Sequence, residues 1–161
     1  MGALVWPKQA EQMQAIQSLP FFNLTLGGMS VEMTMLALAS VLGMFQLLIA
    51  ARSGNSQRGV RWNVGARDEA PPAVGKVAGR LERAFRNFME TFAFFAVAVI
   101  LCALAQRHNW ATMWGAQAYV AARIIYLPLY AFGVPVLRTL IWLVATVSIL
   151  LMYAALFYPA L

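Results

Sequence analysis

Residues 82–105, ERAFRNFMETFAFFAVAVILCALA, change character part-way along their length. The first nine include five polar side chains, whereas almost every residue after them is apolar. Three of these side chains follow Arg83 by three, four and seven positions, and residues at such spacings lie on one side of an α-helix. The four residues of this polar stripe are Arg83, Arg86, Asn87 and Glu90. We therefore predict a helix over about residues 76–106 that enters a membrane and has a polar stripe in its first half.

The composition of the whole chain supports a membrane protein. Of its 161 residues, 61% are hydrophobic and 11% are charged, against about 45–50% and about 25% in soluble domains. A membrane-spanning helix needs roughly 20 residues, so four helices with short loops occupy most of the chain. We therefore predict an all-α membrane protein, a four-transmembrane-helix bundle without a separate soluble catalytic domain.

Apolar runs predict the other three helices at about residues 30–51, 110–131 and 136–158. Ser30 is a suitable N-cap for the first helix, and Arg52 to Asn55 are predicted to end it. A polar loop is expected over residues 53–75, because Pro71 and Pro72 interrupt any helix there. These helices define a membrane domain over residues 30–161.

Residues 1–29 are predicted to be an N-terminal extension. They lack the basic start and apolar core of a signal peptide. Two interpretations stay open: an extension that lies on the membrane surface, or a stretch that is not native, because Met29 is an equally suitable start.

The positive charges indicate an orientation in the membrane. The formal net charge is +6, and 8 of the 12 Lys and Arg residues lie between Arg52 and Arg86. Basic loops face the cytoplasm, so this segment is predicted to be cytoplasmic and both chain termini are predicted to be outside. The same rule explains the basic charge without nucleic acid.

Two further helices carry polar residues at a similar predicted depth. The third helix contains Arg123, Tyr126 and Tyr130, and the fourth begins with Arg138, Thr139 and, one turn later, Trp142. Charged groups at membrane depth are rare and usually functional, so we predict that three helices enclose a cationic pocket. Four arginines and one glutamate suit a ligand with two carboxylates and one amine, a description that glutathione and other ligands meet.

Structural explanations remain open for several of these residues. Arg80 and Glu82 are expected to extend to the membrane surface, and Arg86 and Glu90 to form an ion pair if their role is structural. Arg123 could act on a ligand or pair with Glu90, and Arg138 could be a simple charge anchor. His108 is expected to be solvated, and neither a metal site nor a reactive thiol at Cys102 is predicted.

Two segments resemble the MAPEG superfamily, membrane-associated proteins of eicosanoid and glutathione metabolism. The first is residues 82–90, with its Arg-Ala, Arg-Asn and Met-Glu pairs. The second contains Arg123, Tyr126 and Tyr130, followed by Val-Pro-Val-Leu-Arg-Thr at residues 134–139. The resemblance covers about residues 30–158 and looks most like bacterial members.

The resemblance implies a homotrimer that binds glutathione as co-substrate between neighbouring subunits, near the cytoplasmic side of a bacterial inner membrane. It implies that Arg138 stabilises the thiolate and that Thr139 assists it. The residues implied to hold glutathione are Arg83, Arg86, Asn87, Glu90, Arg123, Tyr126 and Tyr130.

The leading hypothesis is a glutathione-dependent transferase or peroxidase that acts on lipophilic electrophiles or hydroperoxides from the bilayer. The alternative is a non-enzymatic membrane protein, a lipid-binding or scaffold protein whose polar stripe is structural. A transporter is a weaker option, because one basic pocket offers no pathway from both sides.

Overall fold

The computed structural model describes residues 28–68 and 70–158. The predicted extension over residues 1–29 lies almost wholly outside this range. Within it the chain forms helices and loops without β-strands: α1 (Val31–Arg58), α2 (Val60–Val64), α3 (Lys76–Leu104), α4 (Trp110–Phe132) and α5 (Pro135–Phe157).

Local sequence explains most helix ends. Ser30 caps α1, and its side chain accepts a hydrogen bond from the third helical residue at 3.3 Å. Asn109 and Thr112 cap α4 reciprocally through a capping box. Gly133 ends α4 in the left-handed conformation, with φ +77°, and Pro135 then starts α5 at a position where no backbone N–H is needed.

The predicted end of the first helix is wrong. Helix α1 continues through Gly54 to Arg58, and the predicted polar loop begins with the short helix α2. The reason is tertiary: Gly54 packs so closely on α3 that a Cβ would overlap the Glu82 carboxylate. Arg58 then binds Glu82 with two hydrogen bonds of 2.5 and 2.8 Å. These contacts offset the weak helix propensity of glycine.

The four long helices form a bundle in which α3 and α4 each contact all of the other long helices. Helix α1 packs on both of them, and so does α5, which contacts α4 most extensively. At the centre, the Phe95 and Tyr119 rings stack with centroids 4.0 Å apart. Gly115 lets α4 approach α5, because a Cβ there would lie 2.7 Å from Met152 and 3.0 Å from the Ser148 carbonyl.

Three of the described helices, α1, α3 and α5, are long and apolar enough to cross a membrane. Many large apolar side chains on the outside of the bundle are exposed, as lipid contact requires. Helix α4 does not contain so apolar a stretch, since Gln117 and Arg123 lie within it. Its crossing, which would complete a four-span bundle, stays a prediction.

The helices alternate in direction, so each end of the bundle gathers particular termini. At what we call the basic end, the end of α1 meets the start of α3 through Arg58 and Glu82. The end of α4 lies there too, where Arg80 Nη1 donates to the Ala131 carbonyl at 3.2 Å. At the opposite end, which we call the far end, Glu32 contacts Thr112.

Candidate functional site

A polar cleft opens between α3, α4 and α5 toward the basic end. Its volume is about 190 Å³. All six side chains around it are among the candidates named from the sequence, although they come from three different helices. The lining residues are Asn87, Tyr126, Tyr130, Arg138, Thr139 and Trp142.

Arg123 lies beside this cleft and is only 1% exposed. Its Nη1 donates to Asn87 Oδ1 at 2.9 Å, and its Nη2 donates to the Thr91 hydroxyl. The guanidinium carbon lies 5.4 Å from the centre of the Tyr119 ring and 5.3 Å from that of Tyr126. Aromatic faces and neutral oxygens thus surround a buried positive charge.

No carboxylate forms an ion pair with Arg123 within the described part of the chain. The ion pairs there are Arg58–Glu82 and His108–Glu32. The pairing of Arg123 with Glu90, one of the two alternatives that the sequence left open, is therefore not formed. The Arg123 Nε also has no hydrogen-bond partner. An unneutralised buried charge costs several kcal/mol of desolvation, so it marks this region as a candidate functional site.

Arg138 and Thr139 stand at the start of α5, on the rim of the cleft. The Arg138 guanidinium lies 4.4 Å from the centre of the Tyr130 ring, which fixes the position of the charge. Thr139 Oγ1 donates to the Pro135 carbonyl at 3.0 Å. The threonine hydroxyl can therefore accept a hydrogen bond from a ligand more readily than donate one.

The polar stripe of α3 divides between different surfaces. Asn87 faces the cleft, and its Nδ2 lies 3.5 Å from Glu90 Oε2. Arg86 instead lines a groove beside α1, together with Glu82. The structural ion pair expected between Arg86 and Glu90 is therefore absent, and both side chains are exposed. Arg83 is also exposed and does not line the cleft of this chain.

An apolar groove of about 380 Å³ continues from the cleft along α3 and α5. Trp142 lines both cavities and so joins them. The Trp142 indole N–H is buried and has no hydrogen-bond partner among the described residues. The groove is lined by Glu90, Thr91, Phe94, Trp142, Thr146, Ile149, Leu150 and Tyr153.

Sequence reasoning missed Thr91 as part of the site. Its hydroxyl accepts from Arg123 and lies 3.2 Å from the Tyr119 hydroxyl. A signal was present, because Thr91 follows Asn87 by four residues and so extends the polar stripe by one position.

The expectation that Arg80 and Glu82 merely extend to the membrane surface is also wrong. Glu82 pairs with Arg58, and Arg80 hydrogen-bonds the last turn of α4. A cation is favourable at a helix C-terminus, and Arg80 lies against the glycine turn that leads to Arg138.

A second buried polar cluster lies at the far end. Glu32 is 3% exposed, and it accepts a hydrogen bond from Thr112 Oγ1 at 2.6 Å. His108 was expected to be solvated: its side chain is 40% exposed, yet its Nδ1 lies 3.3 Å from Glu32 Oε2. The interaction ties the α3–α4 turn to the start of α1.

Comparisons with known proteins agree with this architecture. The model of the MAPEG family matches residues 35–158, a range that contains the cleft and both polar clusters of α3 and α4. No curated protein and no solved structure gives a significant match. The match covers most of the chain and includes the apolar helices, so this integral membrane protein belongs to the MAPEG family.

Proposed function

We propose that this protein is a glutathione-dependent membrane transferase or peroxidase that acts on lipophilic electrophiles or hydroperoxides. One observation carries the proposal: Arg138 stacks on Tyr130 at the rim of a polar cleft that continues into an apolar groove. A water-soluble thiol peptide suits the cleft, and a substrate from the bilayer suits the groove. The MAPEG family includes glutathione transferases and related enzymes.

Glutathione has two carboxylates, one ammonium group and peptide amides. The charge of Arg123 and the hydroxyls of Tyr126 and Tyr130 would attract and position the carboxylates. Exposed Glu90 would accept the ammonium, and Asn87 would bind the peptide backbone. Asn87 is already oriented for this role, because Arg123 holds its Oδ1 and leaves the amide Nδ2 as the donor.

Arg138 would stabilise the thiolate by its fixed positive charge. In a transfer reaction the thiolate sulfur forms a bond to an electrophilic carbon, and the leaving group departs with its electron pair. In a peroxidase reaction the thiolate sulfur attacks the terminal oxygen of the hydroperoxide. The S–O bond forms as the O–O bond breaks, which gives the sulfenic acid of glutathione and an alkoxide that is protonated to an alcohol. The thiol of a second glutathione would attack the sulfenic sulfur and displace its hydroxyl group. This step forms the disulfide, and water is released.

The site is proposed to be completed by a neighbouring subunit of a homotrimer. The cleft volume of about 190 Å³ is smaller than that of the usual small-molecule site, about 300–1,000 Å³. Arg83 and Arg86 are exposed outside it, where they could contact glutathione bound against the adjacent subunit. The basic end would face the cytoplasm, in a bacterial inner membrane.

Calorimetry of glutathione binding to the detergent-purified protein, with ultraviolet absorbance of the thiolate, tests the proposal. We expect binding and a thiolate signal, and we expect Arg138→Ala to abolish the signal. Arg107→Ala, which removes an equal charge in the α3–α4 turn, is the matched control and should keep it. Absence of binding at millimolar glutathione would favour the lipid-binding or scaffold alternative over an enzyme.

A further inference from the structure

A fourth cavity lies at the basic end, between α1, α2 and α3, and shares no lining residue with the cleft. Its volume is about 950 Å³, near the upper limit for a small-molecule site. Along α1 it is apolar at Leu48 and Ile49 and becomes polar from Arg52 onward. A groove that changes from apolar to polar toward the membrane surface matches the shape of an amphiphile.

Arg52 provides an available positive charge in this groove. Its guanidinium forms no hydrogen bond or ion pair with the residues that the structure describes, and its side chain is exposed. The nearby Arg58 differs, because Glu82 neutralises its charge and Trp62 lies 5.3 Å below its guanidinium. An anion entering this groove would therefore be attracted mainly to Arg52.

Helix α2 indicates that the ligand is a lipid. Val60 and Val64 are 77% and 80% exposed, although α2 also carries Arg61 and Asn63. Apolar side chains on a short helix beside the end of a membrane-spanning helix are suited to the bilayer interface. A free phosphate would not use the apolar wall at Leu48, Ile49 and Leu81.

We propose that this groove binds an anionic phospholipid. The phosphate lies at Arg52, and an acyl chain lies against Leu48 and Ile49. The site requires neither glutathione nor the α3–α4–α5 cleft, so it stands whether or not the protein is an enzyme.

Thermal unfolding of the full chain in detergent, with added phosphatidylglycerol, tests the proposal. A ligand at about 100 times its dissociation constant stabilises a protein by about 2.7 kcal/mol, which raises the Tm of a chain of this size by about 5 °C or more. We expect this shift with phosphatidylglycerol and less than half of it with phosphatidylcholine. Inorganic phosphate should give none.

Two variants locate the site. Arg52→Gln keeps a polar side chain but removes the charge, and it should weaken the lipid by about fivefold, since one basic residue near an anionic lipid contributes about 1 kcal/mol. Arg61→Ala removes an equal charge on α2 outside the groove and should retain the wild-type shift. Equal shifts with both lipids, or equal losses in both variants, would overturn the proposal.

Discussion

Two clusters of polar residues at opposite ends of the bundle are similarly buried, but they differ in whether the charged side chain has an ion-pair partner. At the far end, Glu32 is matched by a hydroxyl donor and a histidine. Beside the cleft, Arg123 is equally buried, but among the described residues it has no ion-pair partner and one of its N–H groups is unsatisfied. The comparison indicates that buried polarity alone does not mark a functional site. An unneutralised charge beside an open cavity does.

Replacing Arg123 is expected to produce the largest effect on function. Arg123→Met removes the charge and releases Asn87, so turnover should fall by about 10²–10³-fold, as when one fixed donor is lost from an active site. The Tm should not fall, because loss of about two hydrogen bonds is offset by removal of a desolvated charge. Turnover kinetics and thermal unfolding measure the two effects.

Gln46→Met is the matched control for this variant, since Gln46 is a buried polar residue of α1 outside the cleft. Its turnover should equal that of the wild type. A large loss of Tm in Arg123→Met without a loss of turnover per folded protein would show that Arg123 is structural, and the distinction between the two clusters would be wrong.

The far-end cluster should show the opposite behaviour. Glu32→Ala leaves Thr112 and His108 without their shared partner, and breaking a buried charged interaction of this kind costs about 3 kcal/mol. The Tm should therefore fall by about 6–12 °C, while glutathione affinity per folded protein stays unchanged. Thermal unfolding and calorimetry on the same preparation test this.

Glu32→Gln is the conservative companion variant. The amide oxygen can still accept from Thr112, so we expect less than half of the loss in Tm seen for Glu32→Ala. If either Glu32 variant reduced glutathione affinity tenfold, the two ends of the bundle would be coupled and the far-end cluster could not be regarded as only structural.

Thr91 belongs to the cluster around Arg123, and replacing it should change stability less than Glu32→Ala does. Thr91→Val keeps the shape of the side chain but removes the acceptor for Arg123 and the partner of Tyr119. We expect a loss of about 1.5 kcal/mol, seen as a fall in Tm of about 3–6 °C, and a several-fold weaker affinity for glutathione.

Thr146→Val is its control, because the single hydrogen bond of the Thr146 hydroxyl within the described structure goes to the Trp142 carbonyl of its own helix. That variant should be close to wild type in both measurements. Equal effects of the two valine substitutions would indicate a general response to hydroxyl loss in the bundle and would remove Thr91 from the site.

Much of the fold follows from local sequence. Apolar runs of sufficient length locate the long helices, and the caps at Ser30 and Asn109 and the turn at Gly133 and Pro135 locate several of their ends. The end of α1 could not be predicted in this way. The residues after Arg52 look like a helix stop, and only the contact with Glu82 on α3 keeps them helical.

The candidate site was predictable in part for a similar reason. Periodicity identified the polar stripe of α3, and the MAPEG resemblance is confirmed by the family match over residues 35–158. Periodicity does not determine how a broad stripe is divided between neighbouring helices. Arg86 therefore faces α1 while Asn87 faces the cleft, and the involvement of Thr91 required the position of Arg123.

Replacing Arg80 is expected to have the smallest combined effect on stability and turnover. It donates one hydrogen bond to the last turn of α4 and lies against Gly133, in the turn between Tyr130 and Arg138. Arg80→Ala should cost about 1 kcal/mol, a fall in Tm of about 2–4 °C, and should reduce turnover less than tenfold by loosening Arg138. Lys76→Ala, at the exposed start of the same helix, should change neither. If turnover falls equally in both variants, net charge at the basic end, and not the position of the turn, controls the reaction.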